Sequence, residues 1–481
     1  MTFVSDLEPT RLWTFFDRIL TIPRGSKEEE RMRAFVLEIA DGLGLDHDVD
    51  DTGNVVVRKP ATPGMENAPG TVLQAHLDMV NEKNSDVEFD FATDAIQPLL
   101  DGDYLTADGT TLGSDNGIGV AAMLAVMEAD DLTHGPLEFL FTIDEETGLT
   151  GAAGLDPELL TARRLINLDS EEEGTLTVGC AGGADTRLVL GLESVSPPVD
   201  AVAYPVKLQG LAGGHSGVDI HLQRGNAVQL LARLLRDAGL SGALAGIQGG
   251  NKHNAIPREA WATVVMPEAS ASERLARLRA NAEAVRAEFR VPEPGMELRV
   301  EPVPLPERLW ASDTGARVLD LLVALPHGVV AMSNDIAGLV ETSTNLAAVK
   351  HDGDTLQVLT SSRSSIASGM EWIRAKIEAV AALAGAEAHH HDGYPGWKPD
   401  LDSELLGVVR AVHERVLGFE PHVEAIHAGL ECGIIGSKYD GMDMISFGPT
   451  IKNPHSPDEM IEIVTIGMVW DLLAALLKSF K

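Results

Sequence analysis

Residues 136–148, PLEFLFTIDEETG, pass from an apolar run straight into three acids, Asp144, Glu145 and Glu146. The apolar part reads as a buried strand. Carboxylates crowded at the end of such a strand repel one another, and their desolvation is costly unless positive charge sits among them. An isolated acidic triplet is usually a solvated turn, so its neighbours decide the reading. TVLQAHLDMV (71–80), GNVVVRK (53–59) and RLINLD (164–169) read as further strands. RMRAFVLEIADGLGL (31–45) and the small-residue NGIGVAAMLAVMEA (116–129) read as helices. Strands separated by helices predict an α/β fold, a sheet with helices on both faces. In such sheets ligands bind outside the carboxyl ends of the strands, which is where the acids fall.

The rest of the composition limits what such a site can serve. The chain has 481 residues, enough for about three domains. Its formal net charge of −36 argues against nucleic acid and against anionic membrane surfaces as partners. That charge reads as solubility through self-repulsion or, more sharply, as adaptation to salt. No apolar run reaches the roughly 18 residues of a membrane span, and the first residues carry acids where a secretory signal is basic. With two cysteines, Cys180 and Cys432, no disulfide framework is expected and a reducing cytoplasm is the default.

The middle of the chain changes character. From about residue 186 to 397 the pattern runs β-α-β-α roughly twice, which raises the question of an internal duplication. AHHHDGYPGWKPD (388–400) reads as a turn-rich exit, its three histidines exposed rather than gathered on one ion. In HSPDEMIEIV (455–464), Ser456 as cap, Pro457 at the first helical position and Glu459 closing a capping box predict a helix starting just after His455.

The candidate ligands then fall into one pattern. His76 and Asp78 lie two apart on a strand and so share a face. Asp115 sits in a Gly-rich turn entering a helix, Glu145, Glu146 and Asp169 follow strands, and His455 precedes the predicted helix. Singly these read as a core histidine, a helix cap and turn acids. Together they bring two imidazoles and several carboxylates to one sheet edge. Two divalent cations about 3.5–4 Å apart, sharing one carboxylate, would make that crowding favourable. Each would take one histidine and one further acid, leaving an acid free for proton transfer. Nitrogen–oxygen ligation with open positions suits Zn²⁺, with Mn²⁺ or Co²⁺ as substitutes.

HLDMV, TTLGSDNGIG, FTIDEETGLTGA, LINLDSEEEG, GGHSG, NKHNAIPREA, SSRSS, YPGW, HAGLECG and GPTIKNPHSPDE occur in this order between about residues 20 and 470. In these motifs the chain resembles the aminoacyl-histidine dipeptidases (Xaa-His dipeptidases, peptidase D, bacterial carnosinases) of the co-catalytic dizinc metallopeptidase superfamily. The resemblance implies that Asp115 bridges two Zn²⁺, that His76 and Asp169 complete one site, and that Glu146 and His455 complete the other. It implies Glu145 as general base to a metal-bridged water, Asp78 as the acid behind His76, and a cis peptide between Asp115 and Asn116. It also implies a split catalytic domain, residues 1–185 and 398–481, around an inserted α+β lid and dimerisation domain, residues 186–397. From that lid His215 would polarise the scissile carbonyl, and Asn254 and Arg363 would hold the substrate. An arginine fork suits a dipeptide's terminal carboxylate. His427 and Glu431 would bind the substrate's amino end or shape the wall beside the metals. The function implied is hydrolysis of Xaa-His dipeptides, carnosine-like ones included, by a cytoplasmic homodimer. A broader dipeptidase, a tripeptidase or an N-acyl amino acid amidohydrolase of the same superfamily shares the metals and differs in the lid. A metal-binding scaffold without catalysis is the rival of another class, and a non-ligating Glu145 would be superfluous in it.

Overall fold

A computed structural model describes residues 2–480. The chain forms two compact units: residues 1–180, 397–425 and 430–481 make one, and residues 181–396 with 426–429 make the other.

In the first unit the strands before the second unit are Asp46–Val49 (β1), Val55–Lys59 (β2), Thr71–His76 (β3), Pro98–Asp101 (β4), Tyr104–Ala107 (β5), Leu137–Thr142 (β6), Arg164–Asn167 (β7) and Thr175–Cys180 (β8). A mixed eight-stranded sheet has the order β1, β2, β6, β3, β7, then Asp443–Ser446, β8 and His422–Ile426. β6, β3, β7 and Asp443–Ser446 run parallel. Every residue of β3 and β6 is buried, which is why neither alternates in hydropathy. In this register His76 lies opposite Thr142 and Gln74 opposite Asn167. The three strands therefore end nearly level, and the chain leaves all of them at one edge.

Three helices of the N-terminal segment, Thr10–Ile19 (α1), Glu30–Leu43 (α2) and Ser114–Glu128 (α3), belong to the same unit. α1 packs on α3, and α3 on β3. The small residues of α3 also allow it close to the end of β7: a Cβ on Gly119 would lie 2.0 Å from Asn116 Oδ1 and 2.8 Å from the Leu168 carbonyl oxygen. Gly113, at φ +71°, turns the chain into α3, and the Asp115–Asn116 peptide is cis.

The predicted helix from Pro457 is not formed. Residues 453–459 make a turn-rich loop, Met460–Glu462 is a strand paired with β5, and the helix spans Ile463–Ser479. Glu459 does not close a capping box. Its carboxylate accepts the backbone N–H groups of Leu112, Gly113 and Ser114 instead, at 2.8, 2.9 and 2.7 Å. A tertiary partner with several free donors outcompetes the single N–H that a local cap would satisfy.

The second unit is an antiparallel sheet with four helices, Ala227–Asp237, Glu268–Glu288, Ser312–Ala324 and Ala367–Ala384. Asn226 caps the first, its side-chain oxygen accepting from Val228 and Gln229 N–H. Leu230, Leu231, Leu234 and Leu235 of that helix enter the core at helical spacing. Strands 297–300, 201–209, 260–267 and 244–249 lie side by side in that order, and 387–390, 182–191, 355–364 and 340–352 repeat it. Read along the chain, each set is β-α-β-β-α-β with spatial order 4-1-3-2, and the first set is inserted between the first strand and first helix of the second. The duplication is thus one of topology, with one copy nested in the other. His389 and His390 lie in the edge strand Glu387–His390, where a turn was predicted.

Candidate metal centre

The candidate ligands of residues 1–180 stand at or just past a strand end or at a helix start, and His455 lies in the 453–459 loop. His76 closes β3, Glu145 and Glu146 follow β6, Asp169 follows β7, and Asp115 opens α3. His76 Nε2 is 3.1 Å from Asp115 Oδ1 and 3.2 Å from Asp169 Oδ1. His455 Nε2 is 3.1 Å from the other oxygen of Asp115, Oδ2, and 3.0 Å from Glu146 Oε2. Asp115 thus divides its two oxygens between two imidazoles that enter from opposite ends of the chain. Behind His76, Nδ1 donates to Asp78 Oδ1 at 3.2 Å. Asp78 is fully buried and also accepts from Ser26 Oγ and from the N–H groups of Glu145 and Glu146. That arrangement fixes the ring so that Nε2 faces Asp115 and Asp169.

The charges do not balance. Burial opposes ionisation of His76, but Asp169, Asp115 and Asp78 raise its pKa well above the imidazole range. Hydrogen bonds to Asp115 and Glu146 take His455 up to about 11. Burial acts against Asp78 too, yet His76, Ser26 and the Glu145 N–H hold its carboxyl at about 2. Burial pushes Glu145 well up, with Asp169, Glu431 and Glu146 adding to it against His76. Two cationic rings face a larger number of acids, and Glu146 Oε1 is buried with no hydrogen-bond partner among the described residues. His76, Asp115 and Asp169, and separately Asp115, Glu146 and His455, bring ligand atoms within 4.8 Å of one another. A third triplet, His76, Glu145 and Glu146, meets the same criterion. The donor set fits two divalent cations sharing Asp115.

Asp144, the first acid of the opening motif, turns away. It is buried at φ +48°, and the hydroxyls of Thr147 and Thr150 donate to its carboxylate. Glu431 is also fully buried. Its Oε2 accepts from Gln74 Nε2 at 2.6 Å and Thr142 Oγ1 at 2.7 Å, and Gln74 in turn accepts from Asn167 Nδ2 at 2.6 Å. Its place is therefore beneath the ends of β3, β6 and β7, in the wall of the centre. Burial lifts its pKa to about 7.

Three participants escaped the sequence reading. Glu171, in the acid run after Asp169, is raised to about 8 by burial and by Asp115 and Asp169. Arg24 is buried and donates to the carbonyl oxygens of Leu77, Asp78 and Gly113. Glu459 grips the turn before Asp115. The run SEEEG hinted at Glu171. A lone arginine in TIPRGS and a glutamate in an apparent capping box gave no such hint.

In the second unit His215, Arg363, His427 and Asn254 come together. A Cβ on Gly217 would lie 3.1 Å from Arg363 Nε, 3.1 Å from His215 Cε1 and 2.3 Å from the His427 carbonyl oxygen. The Asn254 carbonyl accepts the Ser216 N–H at 2.8 Å, and Asn254 and His215 line a cavity of about 640 Å³. His215 Nδ1 accepts from Gly217 N–H at 3.2 Å and Val218 N–H at 3.1 Å. The proton of the neutral ring therefore sits on Nε2, and burial with Arg363 nearby keeps the ring neutral. Arg363 is 7% exposed and donates Nη1–H to Tyr394 Oη. His427 pairs with Ser343 Oγ at 2.7 Å, and burial beside Arg363 depresses it to about 3.

A mixed α/β sheet whose parallel strands end at a cage of imidazoles and carboxylates defines a hydrolase-type metal centre. The family description "Peptidase family M20/M25/M40" matches residues 72–479, and the chain belongs to that family. It is 41% identical over 481 residues to the cytosol non-specific dipeptidase of Escherichia coli (strain K12), covering 100% of this chain and 99% of the relative. The crystal structure of aminoacylhistidine dipeptidase from Vibrio alginolyticus superposes with a TM-score of 0.93 at 44% identity, over 99% of this chain and 98% of that one. Aminopeptidase PepT from Bacillus cereus shares the fold, with a TM-score of 0.58 at 17% identity over 98% and 99% of the two chains.

Proposed function

We propose that this protein is a two-metal dipeptidase that hydrolyses Xaa-His dipeptides, carnosine-like ones included, in the cytoplasm as a homodimer. One observation carries the reading: Asp115 offers one oxygen to the His76–Asp169 group and the other to the His455–Glu146 group. His76, Asp115 and Asp169 would hold one cation, and Asp115, Glu146 and His455 the other. Zn²⁺ suits this donor set, and Mn²⁺ or Co²⁺ would substitute. When bound, the cations polarise the peptide carbonyl and make water acidic enough to ionise near neutral pH.

The chain's own groups do the rest. Asp78 fixes the tautomer of His76. Glu145 takes the proton from the attacking water and passes it to the leaving amine. His215, with its proton on Nε2, donates to the oxyanion that develops on the carbonyl. The Arg363 fork receives the terminal carboxylate, and Asn254 and His427 orient the dipeptide. The second unit serves as lid and dimer contact. The cytoplasmic setting rests on the word "cytosol" in the relative's name and on two buried cysteines with free thiols.

The relative's name also says "non-specific", which favours a broader dipeptidase as the second reading. Metal analysis with turnover of Ala-His, β-Ala-His and Ala-Leu side by side tests both. Cleavage of the first two alone supports the Xaa-His reading, comparable turnover of Ala-Leu supports the broader one, and no turnover of any by metal-loaded protein rejects both.

A further inference from the structure

His455 poses the hardest placement problem in the centre. Its side chain is 51% exposed, so no core packing holds the ring, and its backbone sits at φ +60°. Yet Nε2 must stay beside the carboxylate of Asp115, 340 residues earlier in the chain.

Glu459, four residues on, reaches the same turn that carries Asp115. Its side chain is buried, the residue being 2% exposed. Oε2 accepts the N–H groups of Leu112 and Gly113, and Oε1 accepts Ser114 N–H at 2.7 Å, Ser114 Oγ–H at 2.5 Å and Asp115 N–H at 3.3 Å. On its own side the loop is closed: Glu459 N–H donates to the Ser456 carbonyl at 3.0 Å, and Asn453 Nδ2 to the Asp458 carbonyl at 3.3 Å. Thr106 Oγ1 holds the Glu459 carbonyl at 2.7 Å. One carboxylate thus ties the loop of His455 to the turn of Asp115.

The His76 side has a separate tie. Arg24 bonds the Gly113 carbonyl with one nitrogen and the Leu77 and Asp78 carbonyls with the other. Loss of the Glu459 carboxylate would leave Arg24 holding Gly113, two residues before Asp115, against the end of β3.

We infer that Glu459 is a positioning residue that sets the spacing of His455 from Asp115, and through it the affinity of the Asp115–Glu146–His455 half of the centre alone. The inference rests on the two-metal reading. Glu459→Gln keeps the shape but turns an N–H₂ group toward N–H donors, so part of the tie is lost. Loss of a group that orients a ligand typically costs 10–100-fold in metal affinity.

The test is a Co²⁺ titration of the metal-free, full-length protein, read by equilibrium dialysis and by the visible absorption of bound Co²⁺. The wild type should bind two equivalents. Glu459→Gln should keep one unchanged and bind the other about 10–100-fold more weakly, with turnover recovering at high Co²⁺. Equal weakening of both equivalents, or of neither, would overturn the inference. Should Glu459→Gln fail to fold, Ser114→Ala decides by the same criterion, since it removes only the hydroxyl donor; its selective loss should be a few-fold. A wild type that binds fewer than two equivalents rejects the two-metal reading itself, so the two failures can be told apart.

Discussion

Glu145 and Glu146 are neighbours with different company. Glu146 Oε2 lies 3.0 Å from His455 Nε2, and both residues send their N–H groups to Asp78. If Glu145 moves protons rather than holding metal, Glu145→Gln should retain two metals per chain while kcat falls by about 10²–10⁴. Loss of metal comparable to His76→Ala, measured by elemental analysis, would make Glu145 a ligand, as the His76–Glu145–Glu146 triplet allows. Asp115→Ala should lower metal content more than Asp169→Ala, because only Asp115 faces both groups; equal stoichiometry in the two would count against a bridge. His215 and Arg363 should also separate. Arg363→Ala should mainly raise KM, while His215→Ala should mainly lower kcat, by about 10²–10³ for one oxyanion donor. The residues that could be read in the sequence, His76, Asp115, Glu146, Asp169 and His455, are ordinary singly and were legible because imidazoles and carboxylates recur at predicted strand ends and turns. Arg24 and Glu459 could not be read, because their partners are backbone groups far away in the chain, and spacing says nothing about those.

At the scale of elements, the parallel strands were legible because burial on both faces makes them continuously apolar, as in LEFLFT. The final helix was misplaced because HSPDE satisfies local capping rules that the turn at 112–115 overrides. What the sequence hid is how closely α3 approaches the end of β7. Gly119→Ala would press a methyl against Asn116 and the Leu168 carbonyl, so we expect a loss of about 1–3 kcal/mol in stability together with a lowered metal content. Gly407, exposed within the helix Glu404–Leu417 with nothing within 4 Å of an added Cβ, is the control. Gly407→Ala should stabilise by about 0.5–1 kcal/mol and leave metal content unchanged. Chemical denaturation of the metal-free proteins, with metal analysis of the loaded ones, checks both; a Gly119→Ala protein as stable and as metal-rich as the wild type would contradict the packing argument.

At the scale of the whole molecule, the site is a meeting of chain ends. Residues 1–180 hold His76, Asp115, Glu146 and Asp169 but lack His455 and the strand Asp443–Ser446 that pairs with β7. That fragment alone should bind metal poorly, whereas residues 181–396 should fold and, if they carry the dimer contact, self-associate. The fragment must begin before residue 182, since strand Gly182–Gly191 pairs along its length with Thr355–Ser364. Metal content per chain of the intact, reconstituted protein tests the central claim most directly. Two equivalents are expected in the wild type, and no more than one in His455→Ala, whose substitution lies far along the chain from the other ligands. A wild-type value of one or none, or two tightly held equivalents without His455, would contradict a paired centre bridged by Asp115.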